Sequence, residues 1–310
     1  MLRTAILLST ALLAGCAQNQ LTGREQFLLV SEQQALSGSA SAYAEMIAQL
    51  DKKKKIESGT PRVEKVREIT ERLIAQAVRF RPETAKWSWD VQVIDEPKTV
   101  NAFCMAGGKM AIYTGMWEQL KATDEEVAQV MGHEISHALA NHTQERMSVA
   151  MATTIATQVA AIAIASNSNS PAAGLAVSGV ALAAAVAIQL PNSRESEGEA
   201  DQIGIELAAR AGYDPHAAVT LWEKMGKLEG GKAPPEFLST HPAPQNRAAR
   251  LRELGARLQP VYAAAKGKPH DAPNFLERSA PKAGAVSREE YAAKMAKEGG
   301  GMALRKQPAP

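Results

Sequence analysis

Between Val127 and Leu139 the apolar residues Val127, Val130, Met131, Ile135, Ala138 and Leu139 recur at steps of three and four. That spacing lines one face of an α-helix and predicts that the face is buried. Thr123, followed by Asp124, Glu125 and Glu126, supplies an N-cap and a capping box for its start. A second stripe, Val63, Val66, Ile69, Leu73 and Val78, predicts a helix that Thr60 and Pro61 open, with proline at its first position. Another helical pattern covers about 31–50, and residues 17–30 read as a short extended lead. "WSWDVQVID" (87–95) and "KMAIYT" (109–114) alternate like strands, the second following a Gly107-Gly108 turn. "LPNSRESEGEAD" leads into a helix that ends at Gly212, and Asp214-Pro215 restarts one. A last helix runs from near Pro244 to about residue 258. The pattern is that of an α+β chain, mostly α.

Two Ala-rich stretches, 149–165 and 172–190, are broken by Thr153, Thr154, Thr157, Gln158 and Ser178. Alanine is a weak membrane residue and the lengths are borderline for a span, so two packed helices are expected, placed to cover a cleft. Residues 261–310 are rich in Ala, Lys, Gly and Pro with little periodicity and read as a mostly disordered tail.

The 310 residues are 45% hydrophobic, enough for a sizeable core, and carry a formal net charge of +2. The dense basic cluster "DKKKK" (51–55) has no interleaved aromatics, so no nucleic-acid surface is expected. The opening "MLRTAILLSTALLAGC" has Arg3, a short apolar run and L-A-G-C. It reads as an export signal, residues 1–15, with a lipobox-like end that places cleavage before Cys16 and lipid on its thiol. Ala17 after that cysteine favours, by likeness to bacterial lipoprotein sorting, the outer membrane with the body facing the periplasm. The mature chain then divides into a lipidated lead, 16–30, a main domain, 31–260, and the tail, 261–310. With Cys16 acylated, Cys104 stands alone, no intrachain disulfide forms, and a packed thiol is its expected role.

The chemistry concentrates in "GHEISHALANH" (132–142). On a helix, His133 and His137 stack one turn apart, close enough to bind one Zn²⁺ at about 2.0–2.1 Å each. Glu134, offset by one residue, reaches the attacking water without being a ligand; this is the H-E-x-x-H arrangement of zinc proteases. A third ligand must come from elsewhere. "SRESEGEAD" (193–201) offers Glu195, Glu197, Glu199 and Asp201, of which Glu197 and Asp201 share a helical face. Spacing alone does not choose Glu197 over its neighbours.

Four segments in fixed order, "NAFCMAGGKMAIYTGM", "GHEISHALANH", "SRESEGEAD" and "STHPAPQNRAARL", resemble metallopeptidase family forty-eight, which includes the HtpX-like heat-shock proteases and the CAAX prenyl protease. "LTGREQFLLVSEQQ" (21–34) resembles the entry segment of its periplasmic outer-membrane lipoprotein members. The resemblance implies a zincin-like domain with a small antiparallel sheet, one zinc ion per chain, Glu197 as third ligand and Asp201 orienting a zinc histidine. It also implies that "KMAIYT" is an edge strand for an extended substrate, and that His241 lies near the metal, where it assists catalysis or blocks the fourth position. Ala106 departs from the proline common before the glycines. The activity implied is a zinc endopeptidase acting on misfolded or unassembled envelope proteins; the alternative is a lipid-anchored chaperone or assembly factor that rarely cuts. The oligomeric state is not legible.

Overall fold

A computed structural model describes residues 16–166, 192–228, 236–242, 246–269, 272–277 and 286–298. The chain opens with a hairpin, β1 (Cys16–Gln18) and β2 (Glu25–Phe27), paired antiparallel. Helix α1 (Glu32–Lys52) follows, capped by Ser31 and Gln34. A short strand β3 (Ile56–Glu57) leads to α2 (Pro61–Phe80), whose N-cap is Thr60 and whose first residue is proline, as the sequence predicts. Next come β4 (Asp90–Ile94), β5 (Ala102–Met105), β6 (Lys109–Tyr113) and a single turn α3 (Gly115–Glu118). Helix α4 (Asp124–Leu139) has the expected capping box: Thr123 Oγ accepts from the Glu126 N–H, and the Glu126 carboxylate accepts from the Thr123 N–H. The remaining helices are α5 (His142–Ser166), α6 (Arg194–Arg210), α7 (His216–Leu228), α8 (Glu236–Thr240), α9 (Arg247–Ala265) and α10 (Arg288–Lys297).

The main sheet has the order β3-β4-β6-β5. It is mixed rather than antiparallel, which corrects the expectation, because β4 and β6 run parallel. The cause is local. Gly107 and Gly108 take φ of +82° and +73°, a turn that suits glycine, and they fold β5 back on β6 as a hairpin. β6 then lies against β4 and β5 takes the outside. "KMAIYT" is therefore an interior strand; the edge beside the active-site helix α4 is "AFCM", Ala102–Met105. Both faces of the sheet are covered. Val91, Val93, Cys104, Met110 and Ile112 join the core with α2 and α4, while Ile94, Phe103, Met105 and Ala111 pack with Tyr43 of α1. A sheet covered on both faces loses the polar side of the alternation, and all five residues of β4 are buried.

The tail expectation also needs correction. α9 continues through Pro260 to Ala265. Phe275 and Leu276 are buried in the main core, and their backbone N–H groups donate to the Glu71 carboxylate of α2 at 2.7 and 2.9 Å. α10 has its own capping box at Ser287 and Glu290, and it buries Tyr291 and Met295. A few large apolar side chains and one buried carboxylate dock this segment, although their spacing is too sparse to read as periodicity. Of the two Ala-rich stretches, the first is part of α5, which starts earlier, at His142; residues 172–190 lie outside the described residues. Among the described residues no helix is long and apolar enough to cross a membrane.

Candidate metal centre

α4 carries His133 and His137 into the centre of the molecule, where they are 6% and 1% exposed. α6 crosses α4 nearly backbone to backbone. A Cβ on Gly132 would lie 2.9 Å from the Gly204 carbonyl oxygen, and one on Gly204 would lie 2.8 Å from His133 Cα. Two hydrogens at the crossing thus let α6 bring its acidic face to the histidines. Glu197, fully buried at 0% exposure, is the acid that arrives. Glu195 is exposed. His241, just past the C-terminal end of α8, stacks on Phe237 with ring centroids 4.3 Å apart and completes the group.

One ligand atom from each of His133, His137, Glu197 and His241 lies within 4.8 Å of the others. His133 Nε2 stands 3.1 Å from His137 Nε2 and 3.4 Å from His241 Nδ1. Glu197 Oε1 is 3.4 Å from His137 Nε2 and 2.9 Å from His241 Nδ1. Ligands about 2.0–2.1 Å from a tetrahedral zinc stand roughly 3.3 Å apart, so these separations suit that ion, as does the set of three imidazoles and a carboxylate. A further observation points the same way. Glu134 Oε1 is buried and makes no hydrogen bond among the described residues; its polar neighbour is His241 Nε2 at 3.5 Å, which leaves the oxygen capacity for a further partner.

Burial opposes the charge on His133, but Glu197 and Asp201 outweigh it and push the pKa up to about 9, so a metal held there has to displace a proton. Burial opposes the charge on Glu197, but His241 and His133 outweigh it and hold the group far below the usual carboxylate range. Burial lowers His137 well below the ordinary imidazole value and keeps it neutral. Burial also raises Glu134, against the pull of His241 and His133.

Each α4 histidine is held from behind. His133 Nδ1 lies 3.2 Å from Asp201 Oδ1, one turn along α6 from Glu197. Arg247 of α9 donates through Nε to that same oxygen at 3.1 Å and through Nη1 to Glu197 Oε2 at 3.1 Å. Its guanidinium lies 3.6 Å from the Trp222 ring centroid. His137 Nδ1 is 2.8 Å from His142 Nδ1, and His142 Nε2 is 2.9 Å from Glu199 Oε2. Arg24 then donates through Nε to Glu199 Oε2 at 2.9 Å.

The family follows from the chain itself: residues 61–255 match the model described as Peptidase family M48. The chain belongs to peptidase family M48. Members of this family use zinc, in keeping with the ligand group described. The mitochondrial metalloendopeptidase OMA1 of Arabidopsis thaliana is 40% identical over 164 residues, 53% of this chain and 31% of the relative. The metalloprotease LoiP of Escherichia coli is 33% identical over 159 residues, 50% of this chain and 59% of the relative. The β-barrel assembly-enhancing protease of the same species is 32% identical over 164 residues, 52% of this chain and 34% of the relative. The chain thus spans between 31% and 59% of these relatives' length.

The M48 fold brings together His133, His137, Glu197 and His241, sets Asp201 behind His133 and leaves Glu134 beside the group. Sequence reasoning missed Arg247, His142 and Arg24, and offered Glu199 only as a candidate ligand. Arg247 and His142 sit inside the quoted motifs, "STHPAPQNRAARL" and "GHEISHALANH", and a demand for a partner to every buried acid and every ligand imidazole would have flagged both. Cys104 is free and buried, and burial pushes its thiol well above the ordinary range, so it packs as expected.

Proposed function

We propose that this chain is a zinc-dependent endopeptidase of the bacterial envelope that hydrolyses misfolded or unassembled envelope proteins. In this reading lipid on Cys16 holds it to the outer membrane, with its body in the periplasm. The observation that carries the enzymatic part is Glu134, buried beside the four-residue ligand group without serving in it, its Oε1 in no hydrogen bond and 3.5 Å from His241 Nε2. A structural zinc site has no use for such a base.

His133, His137 and Glu197 would hold the ion, whose chemistry there is to polarise the scissile carbonyl and acidify a water. Glu134 takes the water's proton at Oε1 and returns it to the leaving amine. Its pKa, raised by burial, lies nearer the operating pH than that of an exposed carboxylate, which suits a group that must both accept and release a proton. Asp201 and Arg247 fix the His133 ring. The edge strand β5, not "KMAIYT", is the surface for an extended substrate, and backbone pairing there accepts many sequences. That property supports unfolded chains as substrates. One relative is named for enhancing β-barrel assembly, which favours an envelope role; the OMA1 relatives are named mitochondrial. The lipobox-like "LAGC" favours the envelope.

A second feature bears on regulation. His241 Nδ1 is among the ligand atoms, where a fourth protein ligand would displace water and hold the enzyme off. The chaperone alternative draws on the same closed arrangement. Casein digestion by the full chain, with and without chelator, separates the readings. The peptidase reading expects chelator-sensitive cleavage that rises in His241→Ala; no cleavage by either protein would favour the chaperone.

A further inference from the structure

His137 presents Nε2 to the ligand group, so its ring proton sits on Nδ1. The nearest acceptor is His142 Nδ1 at 2.8 Å. His142 is 1% exposed, so water does not substitute for either contact. With its Nδ1 accepting, His142 carries its own proton on Nε2 and donates to Glu199 Oε2 at 2.9 Å. The reverse tautomer would set N–H against N–H. The chain of hydrogen bonds therefore has one direction, from His137 to a carboxylate, and Arg24 closes it with Nε on that same oxygen.

Arg24 is itself fixed from the other side. Its two terminal nitrogens make a fork on Glu145 of α5 at 2.9 and 2.6 Å. Gln26 Nε2 donates to Glu145 Oε2 at 3.1 Å and to the Ala140 carbonyl at 2.9 Å. Asn19 Nδ2 donates to the same carbonyl at 2.7 Å. Ala140 is the C-cap of α4, the helix that carries His137. The β1–β2 hairpin thus grips both the end of the active-site helix and, through three side chains, one imidazole on it. Residues 19–26 lie outside the 61–255 segment that defines the family match.

We propose that Arg24, Glu199 and His142 are positioning residues for His137, through which the N-terminal hairpin sets how tightly the site holds its metal. The chain acts by orientation: a fixed acceptor behind Nδ1 aims the Nε2 lone pair at the ion and raises its basicity, as partners behind metal-bound histidines generally do. Its members touch neither substrate nor the reacting atoms. The inference rests on the zinc reading of the site.

The test uses the full-length protein stripped of metal and titrated with Zn²⁺ against a chromophoric chelator at one pH. Such partners are typically worth about 10–100-fold in metal affinity. His142→Ala and Glu199→Gln should fall in that range. Arg24→Met, one step further away, should lose less, and Arg24→Lys should recover part of it. Cobalt-loaded variants should show altered d–d bands, because the ligand field at His137 changes. A merely structural hairpin predicts lower apoprotein melting temperatures with unchanged affinity and unchanged cobalt spectra in all four variants; that result would overturn the proposal. A wild-type protein that binds no zinc would instead remove the metal reading beneath it.

Discussion

The two α4 histidines are held alike and built differently. His133 leans on Asp201, and His137 leans on His142 and Glu199; each line ends on an arginine from a distant part of the chain, Arg247 or Arg24. The His133 support is short and comes from α6 and α9, with Arg247 bonded to a ligand and to its support together. The His137 support passes through an extra imidazole to the N-terminal lead. Redundancy explains the contrast. Asp201 and Glu197 share one helical face, so a single helix supplies both a ligand and its partner, whereas the far side of His137 faces the hairpin. One site therefore joins two segments that the order of the sequence keeps far apart.

The most drastic way to probe this contrast is to remove the rings. His133→Ala and His137→Ala should each lose bound zinc and peptidase activity and melt at lower temperature in zinc-containing buffer, since metal binding and folding are coupled. Metal analysis beside thermal unfolding checks it, and full zinc occupancy in either variant would exclude that residue as a ligand.

A smaller effect decides whether the two supports are independent. Asp201→Asn should weaken zinc binding by about 10–100-fold. Combined with Glu199→Gln, the losses in binding free energy should add if the supports act separately. A combined loss no greater than the larger single one would mean that both act through one shared movement, and the comparison would fail. Arg247 is the stricter case. It serves Glu197 and Asp201 at once from a buried position, so Arg247→Met leaves two buried carboxylates short of a partner.

The least effect is expected at the start of α4, which serves both histidines equally. Burial opposes the charge on Glu126, but Lys224, the Thr123 N–H and Thr220 outweigh it and hold the group below its ordinary value. A folded-state pKa below the unfolded one contributes stability above the unfolded value and loses it as pH falls through the folded value. Glu126→Gln keeps the reciprocal capping bond but removes the charge beside Lys224, and should therefore cost up to about 1 kcal/mol at neutral pH, the usual scale of such an ion pair. The difference from wild type should shrink on acidification, as read by urea unfolding at several pH values. A gap that widens in acid would contradict the assignment.

Local features of the fold were legible. The Thr60 and Thr123 caps, the stripe of α2 and the stacking of His133 over His137 depend on residues within a few positions of one another. Strand order was not, because nothing in "KMAIYT" tells that β5 folds back outside it; that follows from the turn and from the room left beside β4. The choice of Glu197 came from family likeness, and the physical reason for it, the glycine-on-glycine crossing of α4 and α6, shows only in three dimensions. Glu199 stood only among four candidate acids for the metal, since no spacing rule connects it to His142 or Arg24. The docked segment around Phe275 and Tyr291 was hidden by its polar, Ala-rich surroundings.

The central claim is that Glu134 is the base of a zinc site it does not help to build. The most direct measurement is Glu134→Gln beside wild type, with zinc content and casein cleavage read on the same preparations. The account predicts full zinc occupancy, an unchanged fold and cleavage lowered by roughly 10²–10⁴-fold, the scale of general acid–base catalysis. Cleavage at the wild-type rate with zinc still bound would contradict it.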